Sequence, residues 1–340
     1  MKHNIPQIKF KNKNNLQKID ETTYTYFDKQ QSIKLFDINK EQYKSFREGL
    51  ETKNWQQVAA ELYAESNPWL FKIITDQNRS DFLFLLDIKK DDLALDLGAG
   101  WGQVTIPLSR FCNVVAVEGN MEKIEIMKTI AKQENRDNIQ FVVANIADKI
   151  FEPDQFELVI FNGVLEWIGS FSEGDPVTLQ QEALDEAYRV LKPSGTLYIG
   201  IENKYGLKYL LGEKDDHTGL TDHVYLNKET LKSVFKEKTG KELRVFTHGK
   251  NEYEKMITNA GFSHVRFFGD LPDYKLLHTM VDLTNDKISS YVANNLDFVD
   301  EYNGYDGTVS KYNEKLRHLY NVLSDQLTDL YPSYSIIATK

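Results

Sequence analysis

Cysteine is almost missing from this sequence, with Cys112 the single one in 340 residues. One thiol excludes an intramolecular disulfide and any zinc centre built from clustered cysteines. At the edge of an apolar segment, Cys112 reads as a small buried hydrophobe. Positive charge is also short: 41 Lys and Arg against 51 Asp and Glu give a formal net charge of −10. Phosphate neutralisation needs clustered cations, so this balance argues against nucleic acid as a partner and favours a small or neutral one. The exception is the basic arm "KFKNKNNLQK", Lys9 to Lys18, which reads as a solvated, poorly ordered segment. Long apolar runs are absent as well, with no stretch of about 18 uncharged apolar residues and no signal-peptide core at the start. The expectation is a cytoplasmic protein without a membrane partner. No internal repeat or low-complexity block appears.

What is present changes character along the chain. Before Leu93 the sequence reads as helices and loops. Tyr43, Phe46, Leu50, Trp55, Val58 and Leu62 form an apolar stripe at helical spacing, and Asn67-Pro68 opens a further helix. Residues 1–90 are therefore expected to be a helical N-terminal extension. From Leu93, strand and helix patterns alternate: "LALDLG", "VVAVEG", "IQFVVAN", "FELVIFNG" and "GTLYIGIEN" read as strands, with "VTIPLSRF", "NMEKIEIMKTIAKQEN" and "LQQEALDEAYRVLK" as helices. That alternation predicts a doubly wound, mostly parallel sheet with helices on both faces. Regularity fades over residues 204–226, a long polar stretch after a strand that reads as a lid or insertion on the ligand side. Helices "NKETLKSVFKEKTG" and "KNEYEKMITNAGF" follow, then an extended pair in "SHVRFFGDLPDYKLLHTMVDL". Residues 284–340 read as helical, with "SYSIIATK" a closing strand.

The chemistry concentrates in "LALDLGAGWGQVT". Asp96, Gly98, Gly100 and Gly102 lie between a strand and a helix, where glycines let the backbone turn tightly and approach a ligand without intervening Cβ atoms. The third glycine comes too early for the dinucleotide pattern G-x-G-x-x-G, and "GQV" stands where a P-loop carries G-K-[ST]. Glu118 ends the next strand, where a carboxylate can take both hydroxyls of a ribose. Asn145 and Ile146 follow the third strand and can meet an adenine edge and face, although Asn145 is equally at home in a turn.

With these residues in order, the region from about Asp92 to Asn203 resembles the class I S-adenosylmethionine-dependent methyltransferases. "LDLGAGWG" corresponds to their motif I, "ANIAD" to the adenine-contacting segment and "FELVIFNGVLEWIG" to motif IV. The resemblance implies a Rossmann-like, seven-stranded sheet and a domain over residues 91–283. It implies S-adenosylmethionine as the cofactor, contacted by Asp96, Gly98, Ala99, Gly100, Gln103, Glu118, Gly119, Asn145, Ile146, Asn162 and Gly163. Many members carry an acidic residue at the adenine position, where this chain has Asn145, with Asp148 three residues on.

Motif IV lacks the Asn/Asp-Pro-Pro-aromatic sequence of enzymes that methylate exocyclic amines of DNA bases, which argues against that acceptor. "IENKYGLKYL", "DDHTGL" and "LPDYK" also resemble methyltransferases of bacterial surface-polysaccharide and glycan gene clusters. The expected acceptor is therefore an oxygen of a small molecule or glycan precursor, approached by Glu166, Trp167, Asn203, Tyr205, His223 and Tyr274. A hydroxyl acceptor loses a proton as the methyl arrives, and His217 with the neighbouring Asp216 is the expected base and its orienting carboxylate. No metal is expected, since no H-x-x-x-H or cysteine partner is present. Methylation of nitrogen or a carboxylate on an amino acid or peptide is the alternative chemistry, and a cofactor-binding scaffold without transfer the alternative class. Oligomeric state is not legible in these residues.

Overall fold

The computed structural model describes residues 6–26, 40–210, 212–284 and 329–340. In chain order the elements are β1 (Leu16–Lys18), β2 (Thr23–Tyr26), α1 (Lys40–Leu50), α2 (Trp55–Tyr63), α3 (Pro68–Thr75), β3 (Leu93–Leu97), α4 (Thr105–Leu108), β4 (Asn113–Glu118) and α5 (Met121–Gln133). There follow β5 (Ile139–Val143), β6 (Phe156–Asn162), α6 (Ile168–Phe171), α7 (Pro176–Val190), β7 (Leu191–Glu202) and α8 (Leu207–Leu210). The remainder is α9 (Lys228–Thr239), α10 (Lys250–Asn259), β8 (Ser263–Leu271), β9 (Thr279–Asp282) and β10 (Ser333–Thr339).

The strands form one sheet in the order β1-β2-β5-β4-β3-β6-β7-β10-β8-β9. Among the described residues ten strands, not the expected seven, make it up. The first two come from the segment expected to be a loose arm and helical extension. β1 pairs antiparallel with β2, and β2 runs parallel to β5, with Thr23 opposite Phe141 and Thr25 opposite Val143. Ile8 and Phe10 are buried, so part of the basic arm is packed against the protein. The expected helix "VTIPLSRF" is reduced to the single turn of α4. The helical expectation for residues 285–328 lies outside the described residues, while the closing strand is β10.

The chain divides into two compact units: Met1–Asn162, Asp185–Tyr198 and Thr339–Lys340 in the first, Gly163–Leu184 and Ile199–Ala338 in the second. These boundaries differ from the expected 1–90, 91–283 and 284–340.

In the first unit, β3 and β4 are buried along nearly their whole length, as continuous apolar strands of a parallel sheet must be. Side-chain caps set the helix starts. Asn54 accepts from the N–H of Gln57, Asn67 from Leu70 with Pro68 inside the first turn, and Asn120 from Glu122. The apolar stripe of α1 and α2 packs on Trp101, whose ring lies 5.4 Å from Tyr43, 5.1 Å from Phe46 and 6.4 Å from Tyr63. Trp101 therefore stands among the glycines as an anchor for α1 and α2.

In the second unit, β8 and β9 form an antiparallel pair, and Leu220, Leu231, Leu243 and Phe246 make an apolar cluster beneath α9. Asn227 caps α9, and Gly240, with φ of 69°, ends it in the left-handed conformation that glycine adopts freely.

Candidate active site

The glycine loop belongs to the first unit. Asp96, at the end of β3, is buried and accepts a 2.5 Å hydrogen bond from the Thr105 hydroxyl. Burial pushes its carboxyl up to about 6, against the lowering effect of that hydroxyl and of Arg79. Gly98, Gly100 and Gly102 all have positive φ. The first two turn the chain, with the N–H groups of Gly98 and Ala99 both donating to the Val117 carbonyl. Gly102 has a different task, because a Cβ there would stand 2.9 Å from Met127 Cγ and 3.1 Å from Ile106 Cγ1. It lets the helical turn of α4 lie close to α5.

Glu118 fixes the loop from the next strand. Its carboxylate accepts from Gly100 N–H at 3.0 Å through Oε2 and from Asn120 N–H at 3.0 Å through Oε1. An ionised carboxylate has roughly four acceptor directions, so both oxygens can still receive ribose hydroxyls. Gln103 Oε1 accepts from Trp101 N–H, and Gly119 lies beside the Ala144 carbonyl. Asn145 Oδ1 accepts from Ala147 N–H and so holds a turn, with half-buried Ile146 next to it. The buried amide of Asn162 has no hydrogen-bond partner on either polar atom among the described residues. Buried amides are seldom left so, and this one fits a polar group of a ligand.

The second unit gathers the ionisable residues. Gly163, with φ of 72°, follows β6, and Glu166 and Trp167 come in the helical turn after it. Gln180 Nε2 ties that turn by donating to the carbonyls of Leu165 and Phe246. Glu166 is 1 % exposed, and both its carboxylate oxygens lack hydrogen-bond partners among the described residues. His217 is held among carboxylates. Its Nε2 is 3.9 Å from Glu166 Oε1 and 3.9 Å from Glu202 Oε2, its Nδ1 is 3.6 Å from Asp215 Oδ1, and Trp167 meets its ring edge-on.

Burial works to lower the His217 pKa, but Glu202, Asp215 and Glu166 outweigh it and push it up to about 10. Burial and the charge of Glu202 raise Glu166. Glu202 is lowered despite burial, because Lys275 and His217 stabilise its charge. At neutral pH His217 is thus an imidazolium, which corrects the expectation of a ready base. A second correction concerns its partner. Asp216 points instead to Lys275, at 2.9 Å, and to Lys208, at 3.8 Å. Asp215 is the carboxylate beside the imidazole, fixed there by accepting from the backbone N–H and hydroxyl of Thr218.

Of the residues expected to meet the acceptor, Tyr274 is buried and donates from its hydroxyl to Glu202 Oε1 at 3.2 Å. Asn203 is employed otherwise: its amide donates to the carbonyls of Asp329 and Tyr331 and accepts from Tyr205 N–H, so it ties a loop and has no free donor. His223 Nε2 lies 3.8 Å from Asp215, and burial lowers the imidazole's pKa. Tyr205, His217 and His223 line a cavity of about 490 Å³ together with Lys204, Phe246 and His248. Glu202, Asp215 and Lys275 were missed as site residues. Glu202 is one position in a strand that reads as core, and no local signal links it to His217.

A family described as a methyltransferase domain matches residues 88–261, just over half of the chain. The 23S rRNA (uracil(1939)-C(5))-methyltransferase RlmD of Pasteurella multocida is 30% identical over 165 residues, covering 44% of this chain and 35% of that protein. An uncharacterized protein of Methanocaldococcus jannaschii is 25% identical over 230 residues, 66% of this chain and 78% of that one. The chain thus spans about a third of the Pasteurella relative's length, and a matched segment equal to 15% of the corresponding Legionella pneumophila proteins. Among solved structures, Haemonchus contortus phosphoethanolamine N-methyltransferase 2 in complex with S-adenosyl-L-methionine is similar at TM-score 0.45 and 17% identity, over 87% of this chain and 60% of that one. Among the described residues, no helix is long and apolar enough to cross a membrane.

Proposed function

The chain belongs to the methyltransferase domain family as an S-adenosylmethionine-dependent methyltransferase, and from that premise we propose that it methylates an oxygen of a small-molecule or glycan-precursor acceptor. The residues fit the cofactor: positive-φ glycines leave room beside the loop, and the Asn162 amide awaits a polar partner. Gly98, Ala99 and Gly100 would border the methionine and ribose parts, Glu118 the ribose hydroxyls, Asn145 and Ile146 the adenine, and Asn162 and Gly163 the methionine end. When bound, S-adenosylmethionine supplies a methyl carbon made electrophilic by the sulfonium. The protein's own work is to align the acceptor and exclude water.

The observation that carries the oxygen reading is His217 lining a cavity while surrounded by carboxylates. A cavity of this volume suits a single small molecule, and Lys204 and Tyr205 offer hydrogen bonds to hydroxyls there. For His217 to receive the acceptor's proton, its own Nε2 proton must first rest on a neighbour. Glu166 is suited to that, since its carboxyl is raised and its oxygens take no other hydrogen bond. Asp215 holds the ring orientation.

An RNA acceptor is the second reading, favoured by the relation to RlmD and opposed by the net charge of −10. Incubating the protein with methyl-labelled S-adenosylmethionine and either a metabolite extract or total RNA tests both. Label in a small molecule, assigned to an O-methyl group by mass spectrometry, supports the first reading. Label confined to RNA, or to nitrogen or a carboxylate, overturns it.

A further inference from the structure

We propose that Glu166, Glu202 and His217 form a binding site for one divalent transition-metal cation, of the zinc, manganese or iron(II) class. Three donor atoms, one from each side chain, lie within 4.8 Å of one another. Two of the three separations are 3.9 Å, Glu166 Oε1 to His217 Nε2 and Glu202 Oε2 to His217 Nε2. Donors about 2.0–2.2 Å from a common ion at tetrahedral angles stand about 3.4 Å apart, so the two pairs that involve His217 each need to close by about 0.5 Å. One imidazole and two carboxylates form the mixed nitrogen and oxygen set that suits these ions.

The atoms facing inward are those left without hydrogen bonds. Both oxygens of Glu166, which is 1 % exposed, and Oε2 of Glu202 have no hydrogen-bond partner among the described residues. The outward oxygen of Glu202 is supported, whereas His217 Nδ1 has no hydrogen-bond partner among the described residues and has Asp215 3.6 Å away. Glu202 Oε1 accepts from Tyr274 and pairs with Lys275 at 2.6 Å, and Asp215 stands behind His217 Nδ1. A carboxylate behind a ligating histidine and donors behind a ligating carboxylate are the usual outer partners of a metal site.

Charge also favours a cation here. Glu166, Glu202, Asp215 and Asp216 stand against the ammonium groups of Lys208 and Lys275. With Asp273, which also acts on both ammonium groups, carboxylates outnumber them by three when His217 is neutral. His217 also lines the 490 Å³ cavity, which gives an ion a way in. The ion is an alternative to the acid–base role above, since His217 Nε2 cannot ligate a cation and take the acceptor's proton at once.

The test is titration of the full chain, first stripped with a chelator, with Co²⁺ followed by its visible absorption, and then with Zn²⁺ as competitor. One Co²⁺ per chain is expected, displaced by Zn²⁺. Glu166→Gln and His217→Ala should each weaken binding by roughly 10–100-fold or more, while His278→Ala, at an exposed position, leaves it unchanged. Circular dichroism confirms that each variant is folded. Absence of Co²⁺ and Zn²⁺ uptake by the unaltered protein at about 100 μM metal, far above the range of a built site, overturns the proposal. So does unchanged affinity in folded Glu166→Gln. S-adenosylmethionine affinity measured on the stripped protein separates this outcome from failure of the methyltransferase reading.

Discussion

The Asp215 carboxylate lies 3.6 Å from His217 Nδ1, and the same oxygen lies 3.8 Å from His223 Nε2. One carboxylate thus faces two imidazoles, of which one is raised to about 10 and the other lowered. In Asp215→Asn the His217 imidazole should lose at least about tenfold in proton affinity, because a charge partner is gone. In Asp216→Asn the change should be smaller, since that carboxylate engages Lys275 and Lys208. Histidine NMR titration of chelator-treated protein reads both, and a larger shift in the Asp216 variant would contradict the assignment. The sign for stability follows from the raised folded-state value. The contribution of His217 is full below its unfolded pKa of 6.5 and is lost as pH rises through about 10.

Glu118 links two backbone segments, the glycine loop through Gly100 and the start of α5 through Asn120. Glu118→Gln removes one acceptor and turns an amide NH2 toward an N–H donor. Loss of a charge-assisted hydrogen bond of about 1.5–3 kcal/mol corresponds to roughly 10–100-fold weaker S-adenosylmethionine binding by calorimetry. Affinity unchanged from the parent would show that the loop and the ribose do not depend on this carboxylate.

These two cases also show what the sequence reveals and what it does not. The glycine loop, β3, β4 and Glu118 are local: a periodic pattern and a short spacing place them, and the structure keeps that order. The pair Asp215 and Asp216 is local too, yet adjacent side chains in a turn point apart, and only the Thr218 contacts decide which one faces His217. Glu166, Glu202 and His217 come from three separate elements, so no window of the sequence contains them together. β1 and β2 escaped for another reason. "LQK" and "TYTY" carry no apolar run, and their strand character comes from pairing with each other and with β5.

Trp101 carries the contact between the loop and the stripe of α1 and α2 through Tyr43, Phe46 and Tyr63. Trp101→Ala should cost about 2–4 kcal/mol in urea unfolding, somewhat under the range for a wholly buried aromatic because Trp101 is half-buried. Trp101→Phe should recover most of it. A loss of under about 0.5 kcal/mol in the alanine variant, the size of an ordinary surface effect, would show that the stripe is held elsewhere.

Gly163 and Tyr274 constrain each other. A Cβ at Gly163 would stand 2.5 Å from Tyr274 Oη and 3.0 Å from Cε2, at a φ of 72° that itself disfavours a side chain. Gly163→Ala should destabilise the fold by about 2–4 kcal/mol, combining left-handed strain with overpacking. Adding Tyr274→Phe removes the nearest atom and should return about 1 kcal/mol in a double-mutant cycle. Strict additivity of the two substitutions would mean that the phenol moves aside freely.

Asp96 offers a pH signature of the loop. Burial raises its carboxyl from 3.8 to about 6, with Thr105 and Arg79 partly opposing. The folded chain therefore holds this proton more tightly than the unfolded chain. The destabilisation is absent below pH 3.8, grows as pH rises, and is complete above about pH 6. At 1.36 kcal/mol per pH unit it reaches about 3 kcal/mol. Asp96→Asn has no charge to bury, so urea unfolding of the cofactor-free variant between about pH 4 and pH 7 should lack this loss. Its stability relative to the parent should climb by about 3 kcal/mol across that range. The parent's affinity for S-adenosylmethionine should rise over the same range, and the variant's should not, if the ionised carboxylate meets the cofactor's amino group. Parallel stability curves for the two proteins would mean that Asp96 ionises as an ordinary carboxylate. The hydroxyl of Thr105, 2.5 Å away, would then have to compensate for its burial in full.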